Sequence, residues 1–359
     1  MNQVSQGSWL VVDSGLRPAD ENMALDKALL EAMAEHDITG VCGVFRFLRF
    51  EESALVGYHQ SPDQELNLDF CCEQGIAVQR RLTGGGALIF DPTQIGWELV
   101  CHRDALPKGD MAALSREICL AAAAGLSTLG VKASFRPRND IEVEGKKISG
   151  TGGIMDGDIL LFQGTVLVDL DIPRMLRVLR VPLEKLDAHA ISSVAERVTS
   201  LKALLGKAPA LSQVQEALLE GFRQHLGLDF EKGDMPESVM ALYPAMLEEI
   251  RDPEWININS RMQADMPLRK ASLRAPGGTL QAEMLWDSFG SRIRQVHFSG
   301  DYFIQPRRAI VDMEAALRNV HLNEVETILA DIFEKQQIDG FGLQAKDFAS
   351  VLRQAAEQA

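Results

Sequence analysis

The sequence predicts an α+β protein whose sheet is mixed and largely antiparallel, with helices packed against it. Three observations predict this class. Candidate strands are joined mostly by hairpin-like turns, helices occur at irregular intervals and not after every strand, and no complete P-loop or G-x-G-x-x-G fingerprint follows a strand. The 359 residues are enough for about two domains.

The first part of the chain contains short apolar runs bounded by turn residues, which predict strands. The predicted strand segments are 9–13, 43–50, 53–57, 77–90 (a strand with a glycine loop), 96–102, 140–150 (a hairpin that turns at Gly145) and 159–170 (two runs). Two segments repeat apolar residues at helical spacing. They are 21–35, with Asp20 as its predicted cap, and 110–128, which stops at Gly130.

The later part of the chain is first helical in pattern, over 173–250, and then polar over 255–267, which has the composition of a linker. Beyond the linker the pattern restarts. The predicted strands there are 271–274, 280–287 and 292–298, and the predicted helices are 312–318, 322–335 and 345–356. The restart predicts two domains, at residues 1–255 and 262–359.

The composition restricts partners and location. Acidic residues outnumber basic residues by 51 to 36, which gives a net charge of −15. Because nucleic acid is held largely by positive charge, we expect no nucleic-acid partner, and we expect any anionic ligand to be bound by a local cluster. The 5 cysteines form no CxxC pair. This cysteine usage, the lack of a recognisable signal peptide and the lack of an apolar stretch of membrane-spanning length together predict a cytoplasmic protein without a membrane partner.

Residues 80–91 place two arginines directly before three consecutive glycines, Gly84 to Gly86. Such glycines occur where a side chain would obstruct something. One such case is a ligand that approaches main-chain N–H groups, and the arginines would add bidentate donors for phosphate or carboxylate. A surface turn with solvated arginines gives the same pattern, so the motif alone leaves both interpretations open.

A second basic segment surrounds the predicted hairpin. Asn139 and Asp140 precede it, and Lys147 is followed by small residues, Ser149 and Gly150, that leave room for a ligand. A lysine on a hairpin strand usually points to solvent, but Mg²⁺ bound to a phosphate needs only one or two carboxylates. Two further segments carry no specific chemistry by themselves. They are 162–169, a buried strand, and 190–201, a loop that enters a helix capped by Thr199 or Ser200.

Together, in this order and spacing, these segments resemble the lipoate–protein ligase A family of the biotin/lipoate ligase superfamily. The resemblance runs through about residues 9–205. It rests on the segments 22–26, 80–91, 138–140, 147–150, 164–167 and 192–198. The region after 262, including 300–303, resembles the small α+β accessory domain of that family more loosely. The resemblance implies a biotin/lipoate ligase-type catalytic domain followed by this C-terminal accessory domain.

The resemblance also implies a reaction. Members of the family use ATP to activate lipoate as lipoyl-AMP and then transfer the acyl group to a lysine of a lipoyl carrier protein. The implied catalytic residue is Lys147, which lies between two anions, and the implied Mg²⁺ ligand is Asp140. The implied contacts of ATP and lipoyl-AMP are Arg81, Thr83, Gly84, Gly85, Gly86, Ala87, Leu88, Ile89, Asn139, Asp140, Lys147, Ser149, Gly150, Gly164, Thr165, Ser193, Arg197 and Val198. Residues 190–198 correspond to a loop that closes over the adenylate.

Two residues depart from the family pattern. Gln163 and Phe90 stand where relatives often have histidine. Glutamine can form hydrogen bonds but does not titrate near neutral pH, so an acid–base role at position 163 would be lost. We interpret the two departures as a change in acceptor or acyl specificity and not as a loss of activity. The sequence leaves open which carrier is modified, and whether lipoate or octanoate is the substrate.

Three alternatives compete with the ligase. An octanoyl or lipoyl transferase would move the acyl group between carriers without ATP, through a cysteine thioester, and the lack of cysteine after Cys119 disfavours one branch of such enzymes. Biotin ligases have a different glycine-rich loop. A non-catalytic carrier-binding homologue is disfavoured because Arg81, Asp140 and Lys147 are all present. The predicted accessory domain further favours a ligase, since stand-alone transferases generally lack one, and it predicts a hinge near 251–267.

Overall fold

The computed structural model describes residues 7–137, 139–180, 194–258 and 268–357. The chain divides into two units. The first unit comprises residues 1–55, 66–82 and 88–255, and the second comprises 56–65, 83–87 and 256–359. Two short segments of the N-terminal part therefore belong with the C-terminal residues. The expectation that 1–255 and 262–359 are separate domains stays a prediction.

The first unit is built around one large sheet. Its strands, and those of the small sheet beside it, are β1 (Ser8–Arg17), β2 (Gly43–Phe50), β3 (Ser53–Val56), β4 (Ala77–Arg80), β5 (Leu88–Phe90), β6 (Ile95–His102), β7 (Ala133–Arg136), β8 (Asp140–Val143), β9 (Lys146–Asp156), β10 (Ile159–Val166) and β11 (Asp229–Lys232). The large sheet has the order β11-β1-β2-β6-β10-β9-β8-β7, and the small sheet has the order β4-β3-β5. In the large sheet β1 is parallel to β2 and β11, and the other pairs are antiparallel. The predicted mixed, largely antiparallel α+β class is thus confirmed.

Helices cover both faces of the large sheet. The first unit contains α1 (Ala19–Ala34), α3 (Leu68–Gln74), α4 (Met111–Ser127), α5 (Ile172–Val178), α6 (Leu201–Leu205), α7 (Leu211–Leu226) and α8 (Glu237–Arg251), and α9 (Pro253–Ile256) follows, while α2 (Pro62–Glu65) belongs to the second unit. On one face α1 packs with α8, and on the other α4 packs with α7. The second pair approaches closely because Gly221 has no side chain: a Cβ there would lie 2.3 Å from the Gly125 nitrogen.

Three details of the first unit differ from the sequence-based predictions. Helix α1 starts one residue before Asp20, with Pro18 at the cap position, and the Asp20 carboxylate accepts instead from the Glu21 amide and Arg251. The second strand predicted within 159–170 is absent from the described chain, because the Leu167 amide leaves the ladder to donate to Ile148. Strand β11 lies within the segment predicted as helical, where it extends the sheet edge beside β1.

The second unit contains its own antiparallel sheet. Its C-terminal elements are β12 (Leu268–Ala275), β13 (Gly278–Asp287), β14 (Arg292–Gly300), α10 (Ala309–Ala316), β15 (Val320–His321), α11 (Val325–Lys335) and α12 (Ala345–Glu357), and the strands follow the order β12-β13-β14-β15. The apolar core includes Phe298, Tyr302 and Phe348, all fully buried. Among the described residues of both units, no helix is both long enough and apolar enough to cross a bilayer.

Candidate functional site

Lys147 lies at the start of β9, and its side chain folds along the strand. The ammonium is 2.7 Å from the Asp140 Oδ1 atom, and the side chain is 37% exposed. A Cβ at Gly150 would lie 2.7 Å from the Lys147 Nζ atom. Because Gly150 has no side chain, the Lys147 ammonium can lie directly against the strand at this position.

Asp140 accepts from two cations. Its second oxygen is 2.7 Å from Arg136, which also contacts Glu142 at 3.3 Å. The hydrogen bond to Asp140 raises the pKa of Arg136. A carboxylate offers about four lone pairs, so two remain after these contacts. Asp140 thus fits a magnesium ion that takes most of its ligands from phosphate and water. No cluster of three or more metal-binding side chains occurs among the residues described.

Strand pairing places these groups on one face of the sheet, and a register shift between Ile141 and Glu142 of β8 brings Lys147 to that face. Asp140 is paired with Gly150 across β8 and β9, and the pairing of β9 with β10 places Thr165 beside Gly150. The Gly150 amide donates to the Thr165 hydroxyl at 3.3 Å. Because successive side chains of a strand point to opposite faces, Gln163 and Thr165 share this face. The predicted residues Asp140, Lys147, Gly150 and Thr165 are therefore brought together.

Two other predicted residues, Asn139 and Ser149, lie beside the hairpin strands in different surroundings. The Asn139 carbonyl accepts from the Thr151 amide and hydroxyl at 2.9 and 2.8 Å, and its side-chain amide donates to the Thr151 carbonyl. Ser149 is fully buried, and its hydroxyl has no hydrogen-bond partner within the described chain. Asn139 thus fixes the approach of the segment before β8 to β9.

The segment after residue 193 runs alongside Lys147. The Lys147 amide donates to the Arg197 carbonyl at 2.8 Å, and the Thr199 amide donates to the Lys147 carbonyl at 2.9 Å. Val198 forms a parallel bridge with Lys147. Ser200 caps α6, which confirms one of the two predicted caps. Two predicted residues, Ser193 and Arg138 of the resemblance, lie outside the described residues.

The two arginines before the glycines are buried, so the interpretation of a turn with solvated arginines is wrong. Arg80 is fully buried and donates to the Trp255 carbonyl at 3.1 Å. Arg81 is 8% exposed and donates to the Leu55 carbonyl at 3.4 Å. Burial, together with the neighbouring Arg80 charge, lowers the pKa of Arg81 to about 10. The predicted residues Leu88 and Ile89 lie on β5, which pairs with β3, the strand that contains Leu55.

Residues 83–87, the glycine loop, belong to the second unit. A Cβ at Gly84 would lie 2.5 Å from the Tyr302 carbonyl oxygen, and Gly85 has a φ of +92°. At Gly84 the obstructing group is therefore protein, and at Gly85 the positive φ itself favours glycine. Gly86 differs, because it is exposed and the nearest atom to its Cβ position is 3.9 Å away. Thr83 is buried, and its carbonyl accepts from the Tyr58 amide.

Gly164 is a packing position on the opposite face of β10. A Cβ there would lie 2.2 Å from the Trp97 ring. Trp97 is fully buried against Phe45 and Phe222. A side chain at position 164 would overlap the Trp97 indole, so packing requires glycine at this position.

Sequence reasoning missed a buried polar network beside Gln163. Arg46, Glu98 and Gln163 form one cross-strand row on β2, β6 and β10, and Asp26 of α1 lies against it. Arg46 contacts Glu98 at 2.6 Å and also pairs with Asp26. The Gln163 amide donates to Glu98 at 2.8 Å and to Asp26. Burial, and then repulsion by Glu98, raises the pKa of Asp26 well above its ordinary value. The sequence signal that could have revealed this network is the presence of two charged residues, Arg46 and Glu98, inside the apolar runs of β2 and β6.

The five cysteines lie in different parts of the first unit. Cys119 on α4 contacts the Thr151 hydroxyl at 3.3 Å, on the face of the sheet opposite Thr165. Burial raises the pKa of Cys119 to about 11, and it raises the pKa of Cys101 further. Cys101 of β6 pairs with Gly43 of β2, and Cys42 directly precedes Gly43. This position is four residues along β6 from Trp97. Cys72 is exposed on α3, and burial raises the pKa of Cys71 beside it.

Comparison with known proteins shows the family to which the chain belongs. The family model described as the lipoyl protein ligase A/B catalytic domain matches residues 18–223. The octanoyltransferase LipM of Symbiobacterium thermophilum is 30% identical over 253 residues, which are 64% of this chain and 90% of the transferase. A solved lipoate-protein ligase A bound with ATP is 25% identical and aligns over 70% of this chain and 98% of its own, with a TM-score of 0.59. The fold of P. falciparum LipL1, solved with lipoate, aligns over 97% of this chain and 98% of its own, with 17% identity and a TM-score of 0.72.

Proposed function

Because the chain belongs to the lipoyl protein ligase A/B catalytic domain family, which includes ligases and transferases, we propose that it is an ATP-dependent lipoate–protein ligase. In the first step a carboxylate oxygen of lipoate attacks the α-phosphorus of ATP. The bond from that phosphorus to the bridging oxygen breaks, and lipoyl-AMP and pyrophosphate form. In the second step the ε-amine of a carrier lysine attacks the acyl carbon, AMP leaves, and the amine loses its proton to solvent.

The observation that carries this proposal is the position of the Lys147 ammonium, held 2.7 Å from Asp140 on the sheet face opposite Cys119. The first step brings two anions together, and at about 4 Å like charges repel by about 4 kcal/mol at an effective dielectric of about 20. An ammonium between them reverses the sign of that interaction and stabilises the charge that develops on the phosphoryl oxygens. Asp140 takes one of its three N–H donors and leaves donors for substrate oxygens.

The neighbouring residues have matching roles in the proposal. Thr165 and the Gly150 backbone line the same face, and residues 197–198 run alongside Lys147. Arg81 and the glycine loop hold the acyl group or the phosphates. Asp140 would hold Mg²⁺, which when bound neutralises phosphate charge and stabilises the departing pyrophosphate. The solved ligase with ATP supports nucleotide use.

The acceptor in the proposal is a lysine of a lipoyl carrier protein or domain. The acyl donor is lipoate or octanoate, which share the carboxylate that reacts. Both steps need water to be excluded from the adenylate, and residues 190–198 serve this purpose in the proposal.

An octanoyltransferase is the second candidate, and the identity with LipM favours it. That reaction needs a thiolate that accepts the acyl group. At pH 7 a thiol with a pKa of about 11 is ionised in roughly one molecule in 10⁴, so Cys119, which contacts Thr151 of β9, is a poor nucleophile. The exposed Cys72 is the alternative thiol.

One experiment separates the two candidates. The full chain is incubated with ATP, MgCl₂ and lipoate or octanoate, and pyrophosphate is measured. In parallel, the chain is incubated with an octanoyl carrier protein alone, and a protein thioester is sought by mass spectrometry. The ligase predicts pyrophosphate and no thioester. A thioester without pyrophosphate release would establish the transferase instead.

A further inference from the structure

We propose that Tyr302 is a positioning residue for the glycine loop, residues 83–87, so that the loop binds the acyl group or adenylate only while it is packed against residues 300–303. The inference rests on the proposed function, which makes the loop a ligand-binding element. It adds a residue of the C-terminal part of the chain to that element.

The first observation is the contact of the two backbones. The Gly85 amide donates to the Tyr302 carbonyl at 3.3 Å. A Cβ at Gly84 would lie 2.5 Å from the same oxygen and 3.2 Å from the Phe303 ring. Because real Cβ atoms do not approach so closely, the loop can rest on Tyr302 only with glycine at position 84.

The second observation is that the loop is enclosed on another side. A Cβ at Gly57 would lie 2.0 Å from the Gly85 carbonyl oxygen, and the Tyr58 amide donates to the Thr83 carbonyl at 2.9 Å. The loop therefore makes backbone contacts with two segments, 57–58 and 302–303. Gly86, in contrast to Gly84, has no atom closer than 3.9 Å to its Cβ position.

The third observation is that the Tyr302 ring joins these two segments. The ring is fully buried and stacks on the His59 ring, with centroids 4.9 Å apart and planes 18° apart. The His59 carbonyl accepts from the Gly300 amide at 3.0 Å. On its other side Tyr302 packs against Phe348 of α12. The hydroxyl has no hydrogen-bond partner in the described part of the chain, so the ring carries the effect.

The test compares Tyr302→Leu with its matched control Tyr302→Phe, which keeps the stack, and adds Gly84→Ala, which changes the loop and leaves the C-terminal core intact. Hydrogen–deuterium exchange of the peptide covering 83–87, lipoate affinity by calorimetry, and kcat and KM for lipoate are measured on the full chain. Tyr302→Leu and Gly84→Ala are expected to exchange faster and to bind lipoate about three- to tenfold more weakly, the range for a lost aromatic pair. The kcat of Tyr302→Leu stays within about twofold, and Tyr302→Phe matches the wild type.

Three results with the variants would overturn the inference: unchanged exchange in Tyr302→Leu, faster exchange with unchanged lipoate affinity, or equal losses in Tyr302→Phe and Tyr302→Leu. A wild-type chain that does not bind lipoate would overturn it as well. A wild-type chain that binds lipoate but releases no pyrophosphate defeats the ligase proposal only, because exchange and affinity still decide the role of Tyr302.

Discussion

Replacing Lys147 by alanine tests the charge argument on which the ligase proposal depends. The variant removes the ammonium that contacts Asp140 at 2.7 Å. It keeps the main-chain bonds to Arg197 and Thr199, because these involve only the backbone of residue 147. The strand should therefore stay in place while the chemistry is lost.

The expected loss follows from the geometry. Two anions at about 4 Å repel by about 4 kcal/mol at an effective dielectric of about 20. The Lys147 side chain is 37% exposed, so solvent reduces its contribution, and we expect about 3 kcal/mol in the transition state. That value is about a 10²-fold fall in kcat for pyrophosphate release at saturating ATP and lipoate.

Lys146→Ala is the matched control. It changes the net charge by the same amount on the same strand, but Lys146 is paired across the hairpin with Val143 and is not the partner of Asp140. Its rate should stay within about twofold of the wild type. A loss below about fivefold in Lys147→Ala, or an equal loss in Lys146→Ala, would refute the reasoning.

Three further predictions follow from the buried groups. Asp26→Asn should flatten the pH dependence of the free energy of unfolding. Because the pKa of Asp26 is raised in the folded state, the protonated carboxyl stabilises the fold; this stabilisation is complete below about pH 3.8 and is lost as the pH rises through the folded pKa. Urea titrations across pH 4–8 that show the same pH dependence in the variant and the wild type would contradict this prediction. Gly164→Ala should destabilise by about 1–3 kcal/mol through overlap with Trp97, and a wild-type melting temperature would exclude this. Cys119→Ser should keep pyrophosphate release within about twofold, and its abolition would point to the thiol.

The fold class and the hairpin were predictable because both depend on local patterns. The alternating residues Ile141, Val143 and Ile148 flank the turn at Gly145, and the structure has β8 and β9 there. Lys147 and Asp140 come together across this turn, so a short-range pattern was enough to place the central pair of the candidate site.

The environment of the glycine loop was not predictable from local pattern. Gly84 and Gly85 contact Tyr302, more than 200 residues away in sequence. A glycine that approaches distant backbone and a glycine that approaches a ligand look the same in one sequence. The same limitation applies to Gly164, whose partner Trp97 lies on a neighbouring strand.

The structure also changes the reason for favouring a ligase. Besides the predicted accessory domain, the sequence offered the lack of cysteine after Cys119, which says nothing about earlier thiols. Strand alternation decides the matter for Cys119: it contacts Thr151, whose neighbour Gly150 faces the other side together with the Lys147 ammonium. An acyl group activated beside Lys147 would have to cross the sheet to reach that thiol. A direct transfer from the adenylate to a carrier lysine needs no such passage, because the acceptor can approach from the same face.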